Sequence, residues 1–376
     1  MKKLNRMKNH IKSYIMMVVA ATTAAYGLTA CADRDEMEGQ GTDGRITFTT
    51  SVQDATAMTR AAQTLEAIPL TGEDCQLWLI PSVRPTDSSP FWGNQRGATR
   101  GTQITSASAM TSFGVSAFCH PQSDAGLGDA TPSFLYNVQA TPSGSNYTVN
   151  GNYFWPSGTD ILDFQAYYPY NNESISLSAI DVKGPQKITF TVNEDVKKQC
   201  DLMTAHAQSE SFKNHLSPSV PLKFYHRLSA VKFVVGSKFV AGCVKKITLK
   251  NVHKSGVYTL GSDVGEGWAT DIEDNTGDFT LEHSTDVTVE GTEGEAVTAS
   301  DETFLVIPQD FTDNDSAAIE VVYTNGTPNG DKTVTAPLTG KVWAEGTTVT
   351  YALSSQNLTT LHVSTIGFAS TVSGAP

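Results

Sequence analysis

Beyond residue 44 the chain alternates short apolar segments rich in Val, Ile, Phe, Tyr and Thr with breaks of Gly, Pro, Asn, Asp and Ser. Long apolar stripes at helical spacing do not appear, so the pattern predicts a mainly β protein. Strands are expected in the first half at 45–50, 76–80, 112–118, 161–168 and 187–192. In the second half they are expected at 221–225, 231–236, 244–250, 257–260, 279–282, 287–289, 303–307, 319–323, 333–338, 347–353 and 360–366. Alternation in Phe190-Thr191-Val192 and Ile247-Thr248-Leu249 gives each sheet one apolar face, which only a second sheet or closure into a barrel can cover. Residues 81–111, dominated by Pro, Ser, Thr, Gly and Asn, read as an exposed loop or insert. The acidic, Gly-rich stretches 261–277 and 290–299 read as hairpin loops. Polar residues across 207–219 interrupt the periodicity, which places a boundary between domains at 45–210 and 211–376.

The first 30 residues have a different grammar. Lys2, Lys3, Arg6, Lys8 and Lys12 stand without any acid before the apolar run 14–21, followed by small residues up to Cys31. This is the layout of an export signal, and its apolar run falls short of the roughly 20 residues that span a bilayer. Leu28-Thr29-Ala30-Cys31 resembles a bacterial lipobox, which implies cleavage before Cys31 and lipid on its thiol and new amino terminus. Residues 1–30 are then a signal peptide and 31–44 an acidic, Gly-rich, flexible tether. Losing the five basic residues takes the formal charge from −13 to −18, so attachment to a membrane must come from the lipid, at about 0.8 kcal/mol per buried CH2.

At 39% hydrophobic and 17% charged residues the chain has the material for a core, and its acidity excludes a nucleic-acid binder driven by positive charge. Cys75, Cys119, Cys200 and Cys243 match no compact metal motif; three complete disulfide pairings and buried thiols all fit their spacing. There is no HExxH, no Walker A loop, no GxGxxG and no EF-hand loop, and no cofactor or metal is expected. Asp263 and the acids of 271–278 fit solvated turns better than a calcium site. His226 could be set against Asp201 and a serine to make a nominal hydrolase, yet within Phe224-Tyr225-His226-Arg227-Leu228 it fits a partly buried or edge-strand histidine. Phe164, Ala166 and Tyr168 alternate with Gln165 and Tyr167, a packing pattern more than a ligand platform, and Trp343 is placed to close a core.

Taken in order, the lipobox, Ile46-Thr47-Phe48, Thr59-Arg60, 113–118, Tyr153-Phe154-Trp155-Pro156, 162–169, Asp201-Leu202-Met203-Thr204-Ala205, 220–228, 230–235, 304–309 and Trp343-Ala344-Glu345-Gly346 resemble the fimbrillin family of Bacteroidetes lipoproteins, including Mfa-like anchor and accessory proteins. The acidic run after Cys31 is similar to the surface-export signals of lipoproteins from those bacteria. The resemblance implies two transthyretin-like, Greek-key β-sandwich domains, a place at the cell outer membrane, and non-catalytic work in pilus assembly, anchoring or adhesion. It also implies partners: other fimbrial subunits through donated strands, and a host or bacterial surface glycan or protein. In some members a cut after an arginine removes an N-terminal strand and opens a groove for a strand from another subunit. Arg60, followed by Ala61, is the nearest candidate, with Arg100 a second; both also fit ordinary solvated loop residues. A cut at Arg60 would sever the body from a lipid on Cys31, so an anchor subunit would stay intact. The rival readings are a surface lipoprotein that binds a glycan or host protein without any pilus and, ranked below it, a surface hydrolase.

Overall fold

The computed structural model describes residues 44–355 apart from 54–62, 73–76, 86–102, 105, 123–126, 157–159, 211–218, 238, 240–241, 262–265, 270–274, 290–292 and 325–329. The expected sites Cys31, Arg60, Ala61 and Arg100, together with Cys75 and the strand expected at 360–366, lie outside the described residues.

The described chain is almost wholly β, with short 3-10 turns at Ala107–Ala109 and Val196–Lys198. Strands are numbered in chain order. Seven close into a barrel, in the order β1 (Thr47–Val52), β12 (Ser219–His226), β11 (Met203–Glu210), β8 (Asp160–Tyr168), β5 (Phe113–Pro121), β6 (Leu135–Ser143) and β7 (Asn146–Val149), which returns to β1. Of the two ways to cover an apolar sheet face, a second sheet or closure, this part of the chain uses closure, where the family resemblance implies a sandwich. Alternate residues fill the interior: Phe48, Phe113, Val115, Phe164, Leu222 and Phe224 form one core.

The second core lies between further sheets. One runs β18 (Phe304–Val306), β13 (Ser229–Val235), β23 (Thr347–Ser354), β4 (Leu77–Pro85) and β2 (Gln63–Thr64), with β3 (Ile68–Leu70) also pairing β4. Another runs β17 (Thr276–Val289), β14 (Gly242–His253), β20 (Ala318–Thr324) and β21 (Lys332–Pro337). A third, β16 (Gly267–Trp268), β15 (Ser255–Thr259), β10 (Lys187–Thr191) and β9 (Ile175–Leu177), joins the same core, and β19 (Gln309–Asp310) pairs β22 (Val342–Trp343).

The chain laces these two cores together. It starts in the barrel with β1, crosses to β2–β4, returns for β5–β8, leaves for β9 and β10, and comes back for β11 and β12 before β13. The division expected at 210 and 211 falls between β11 and β12, which are hydrogen-bonded neighbours in the barrel.

Residues 81–85, expected to be loop, extend β4. Pro81 is tolerated inside that strand because it lies opposite the break between β2 and β3, where the missing N–H has no ladder partner to serve. The segments expected at 279–282 and 287–289 are one continuous edge strand, β17. The hairpin of β6 and β7 falls where the pattern above predicts no strand, although Gly144, at φ 63° in its tight turn, and the flanking Tyr147 and Val149 carry a hairpin signature.

Candidate assembly site at the β1 seam

β1 is held differently from its neighbours in the barrel. Against β12 it runs parallel, with Thr47 opposite Ser219 and Val52 opposite Phe224; on its other side only Thr47 and Phe48 pair, with Thr148 and Tyr147 of β7. Parallel pairing is somewhat weaker per residue than antiparallel pairing. Thr47 Oγ1 and Ser219 Oγ, opposite one another in this register, are buried with no hydrogen-bond partner among the described residues. A buried hydroxyl without a partner costs of order 1 kcal/mol or more.

What anchors β1 is apolar. Phe48 is fully buried, its ring edge-to-face with Phe164 at 5.4 Å and Phe113 at 6.0 Å. Ile46 N donates to Tyr153 O at 3.1 Å, and Gln53 N donates to Phe224 O at 2.8 Å, which pins the two ends. Removing β1 would leave the edges of β12 and β7 facing a slot with a phenyl-sized pocket. Residues 54–62, which include Arg60 and Ala61, connect this strand to β2 in the other core; residues 86–102, which include Arg100, follow β4.

The residues weighed for chemistry sit elsewhere. His226 on β12 and Asp201 are both about 2% exposed, with Nδ1 2.9 Å from Oδ2. His226 is thus more deeply buried than the partly buried or edge-strand histidine its sequence context suggests, and β12 lies between two neighbours in the barrel. His120 and Asp163 make a second buried pair at 3.1 Å, and the other ring nitrogen of His120 faces Pro121 O. Neither pair is open to a substrate. Among the described residues no three His, Cys, Asp or Glu side chains gather as metal ligands would.

The aromatic residues pack as their alternation predicts. Phe164, Ala166 and Tyr168 point into the barrel, while Gln165 and Tyr167 on the opposite face are buried toward the second core. Burial pushes the Tyr167 and Tyr168 phenols up to about 12. Gln165 ties the two cores by donating to Gly261 O at 2.8 Å and accepting from Gln186 N at 3.0 Å. Tyr167 crosses so close to β5 that a Cβ at Gly114 would stand 2.3 Å from its ring. Trp343 is buried, edge-on to Phe311 at 4.8 Å, and donates from Nε1 to Tyr351 OH at 2.9 Å.

Arg227, between β12 and β13, is the main polar link. Its guanidinium donates to Thr204 of the barrel at 2.6 Å and to Glu345 at 2.7 Å, and it pairs with Glu266. The same group lies over the Tyr258 ring at 5.0 Å, and its backbone carbonyl accepts from Trp268 Nε1 at 2.7 Å. Burial raises the pKa of Glu345, with Arg227 opposing that shift. Sequence reasoning missed this arginine because its partners lie 23, 39 and 118 residues away.

A family model described as fimbrillin-like matches residues 99–373, well over half of the chain. The chain belongs to the fimbrillin-like family. A curated relative, fimbrium subunit Fim1C of Phocaeicola vulgatus, is 28% identical over 218 residues, which are 50% of this chain and 58% of that subunit. The chain therefore spans less than two thirds of that relative's length. Among solved structures it is similar to a fimbrial protein of Bacteroides vulgatus, with 19% identity, a TM-score of 0.48, and coverage of 67% of this chain and 92% of that one. It is also similar to a fimbrial assembly protein of Parabacteroides distasonis, with 9% identity, a TM-score of 0.36, and coverage of 77% and 90%.

Proposed function

We propose that this fimbrillin-like protein is a non-catalytic, lipid-anchored component of a surface fimbria, held at the outer membrane through Cys31 and joined to other subunits by strand exchange. The observation that carries this reading is the seating of β1: one short strand at the start of the body, in parallel pairing, with two hydroxyls on its seam that have no partner among the described residues and an aromatic plug beneath it. A donated strand entering that slot would regain the backbone bonds of β12 and β7 and refill the Phe48 pocket. Family membership and the name of the Phocaeicola relative support the fimbrial setting.

Chain order ranks the two arginines. A cut after Arg60 separates only β1 from the body, whereas a cut after Arg100 also separates β2, β3 and β4, and β4 lies in the middle of its sheet. Arg60 is the productive site; an uncut, lipidated chain serves as an anchor and a cut one as a polymerising subunit. The two cores stand for the two transthyretin-like units that the family resemblance implies, each completed by strands from both sides of residue 210.

Mass spectrometry of the surface protein, with crosslinking to its neighbours, tests this. Lipid on Cys31 of an intact chain at the fibre base supports the anchor, and a terminus at Ala61 crosslinked through β12 or β7 supports the exchanging subunit. A mature chain without lipid, never crosslinked to fimbrial subunits, sinks the proposal.

A further inference from the structure

One segment of the barrel is not a strand, yet it lies against β1. After residues 86–102 the chain runs through residues 103–104 and 106–110, packed on the barrel core, before entering β5. Ile104 and Met110 are buried in the barrel core beside Ile46 and Phe48, with Ala107 and Ala109 packed against the same cluster. The 3-10 turn at Ala107–Ala109 neighbours β1 directly.

Two polar pins fix this strap. At its start Ile104 N donates to Asp201 Oδ2 at 2.9 Å, and Asp201 is in turn clasped by the buried His226. A charged acceptor makes that a strong backbone tie. At its far end the phenol of Tyr147 donates to Ala107 O at 3.2 Å and Met110 O at 2.8 Å. Tyr147 belongs to β7 and stands opposite Phe48 of β1 in register. One residue therefore joins the strap, β7 and β1. Gln103 extends the strap to the second core by donating from Nε2 to Thr348 Oγ1 at 3.0 Å.

We propose that the strap is a latch on β1: while its turn is pinned by Tyr147 and Asp201, β1 stays in the barrel, and lifting the strap lets it leave. This rests on the reading of β1 as the exchangeable strand, and adds to it a control built into the same chain. The weak seam with β12 explains why a latch is useful, since pairing alone holds β1 loosely.

The test uses the full chain and two variants that leave every barrel strand's backbone pairing in place. Tyr147→Phe removes only the pinning hydroxyl; Ile104→Ala loosens the strap's apolar foot. Hydrogen exchange is read separately for residues 47–52 and for β5 and β8. The expected result is an increase of about tenfold in β1 exchange in both variants, with β5 and β8 unchanged. Unchanged β1 exchange, or an equal rise across the whole barrel, overturns the latch. A labelled peptide of residues 45–53 separates this idea from the one beneath it. Faster uptake by the variants than by the parent supports the latch. Equal uptake by all three overturns the latch and leaves strand exchange standing. Faster β1 exchange with no uptake by any chain keeps the latch and removes strand exchange.

Discussion

β1 and β4 both come from the first 85 residues, and both are inserted beside strands that arrive much later in the chain, yet they are held in opposite ways. β4 pairs antiparallel with β23 over residues 78–85, from Trp78 opposite Ser354 to Pro85 opposite Thr347, and carries β2 and β3 on its other edge. Leu79 faces the core and is fully buried. β1 pairs in parallel on one side, for two residues on the other, and its seam holds two hydroxyls without partners among the described residues. A strand laddered on both edges along most of its length is part of a sheet's foundation; one laddered in parallel on one edge and for two residues on the other is, on the reading proposed above, the part that exchanges between subunits.

The largest effect should come from deleting one strand or the other. A chain starting at Ala61 is expected to keep a cooperative melt at lower temperature, whereas one starting at Gly101 lacks β4 and should not fold; circular dichroism and gel filtration distinguish the two. If both fold equally well, the contrast fails. Single truncations give the same contrast in smaller form. Leu79→Ala should cost about 2–5 kcal/mol of global stability by denaturant titration, while Phe48→Ala, worth about 3–5 kcal/mol to the docking of β1, should appear mainly as rapid exchange of residues 47–52. Global unfolding of the Phe48 variant at the same denaturant midpoint as the Leu79 variant would argue against separable stability.

Arg227→Met tests the link between the cores. It leaves Glu345 and Glu266 without their shared cation, a loss expected near the low end of about 3–5 kcal/mol, because both carboxylates keep some water. Burial already raises the Glu345 pKa, and losing Arg227 raises it further. A carboxyl whose folded pKa lies above its unfolded one binds more protons when folded, so stability falls as pH rises through that window. The deficit of the variant should therefore shrink from pH 7 toward pH 5; a deficit constant with pH would place the cost elsewhere. The smallest effect is one of gain. Thr47→Val replaces an unsatisfied hydroxyl by a methyl and should slow β1 exchange, with a stabilisation of up to about 1 kcal/mol. Faster exchange in that variant would mean that Thr47 does find a partner.

Much of this is legible in the sequence. Alternation at Phe190, Ile247 and Leu249 identified buried faces that the structure contains, and the offset of Phe164, Ala166 and Tyr168 from Gln165 and Tyr167 located both sides of β8. Trp343 closes a core as its position suggested. The strap was not legible: Gln103, Ile104 and Met110 sit in a composition that reads as loop, and burial there depends on Asp201 and Tyr147, far away in sequence. Arg227 was invisible for the same reason.

The sequence by itself determined the class of structure, because side-chain alternation has a period of two wherever a strand has one buried face. It also carried the family resemblance, since that depends on the order of local motifs. Only the tertiary structure decided which strands meet. Backbone hydrogen bonds are alike at every residue, so a parallel β1–β12 seam and an eight-residue β4–β23 ladder look the same along the chain until packing brings their partners together.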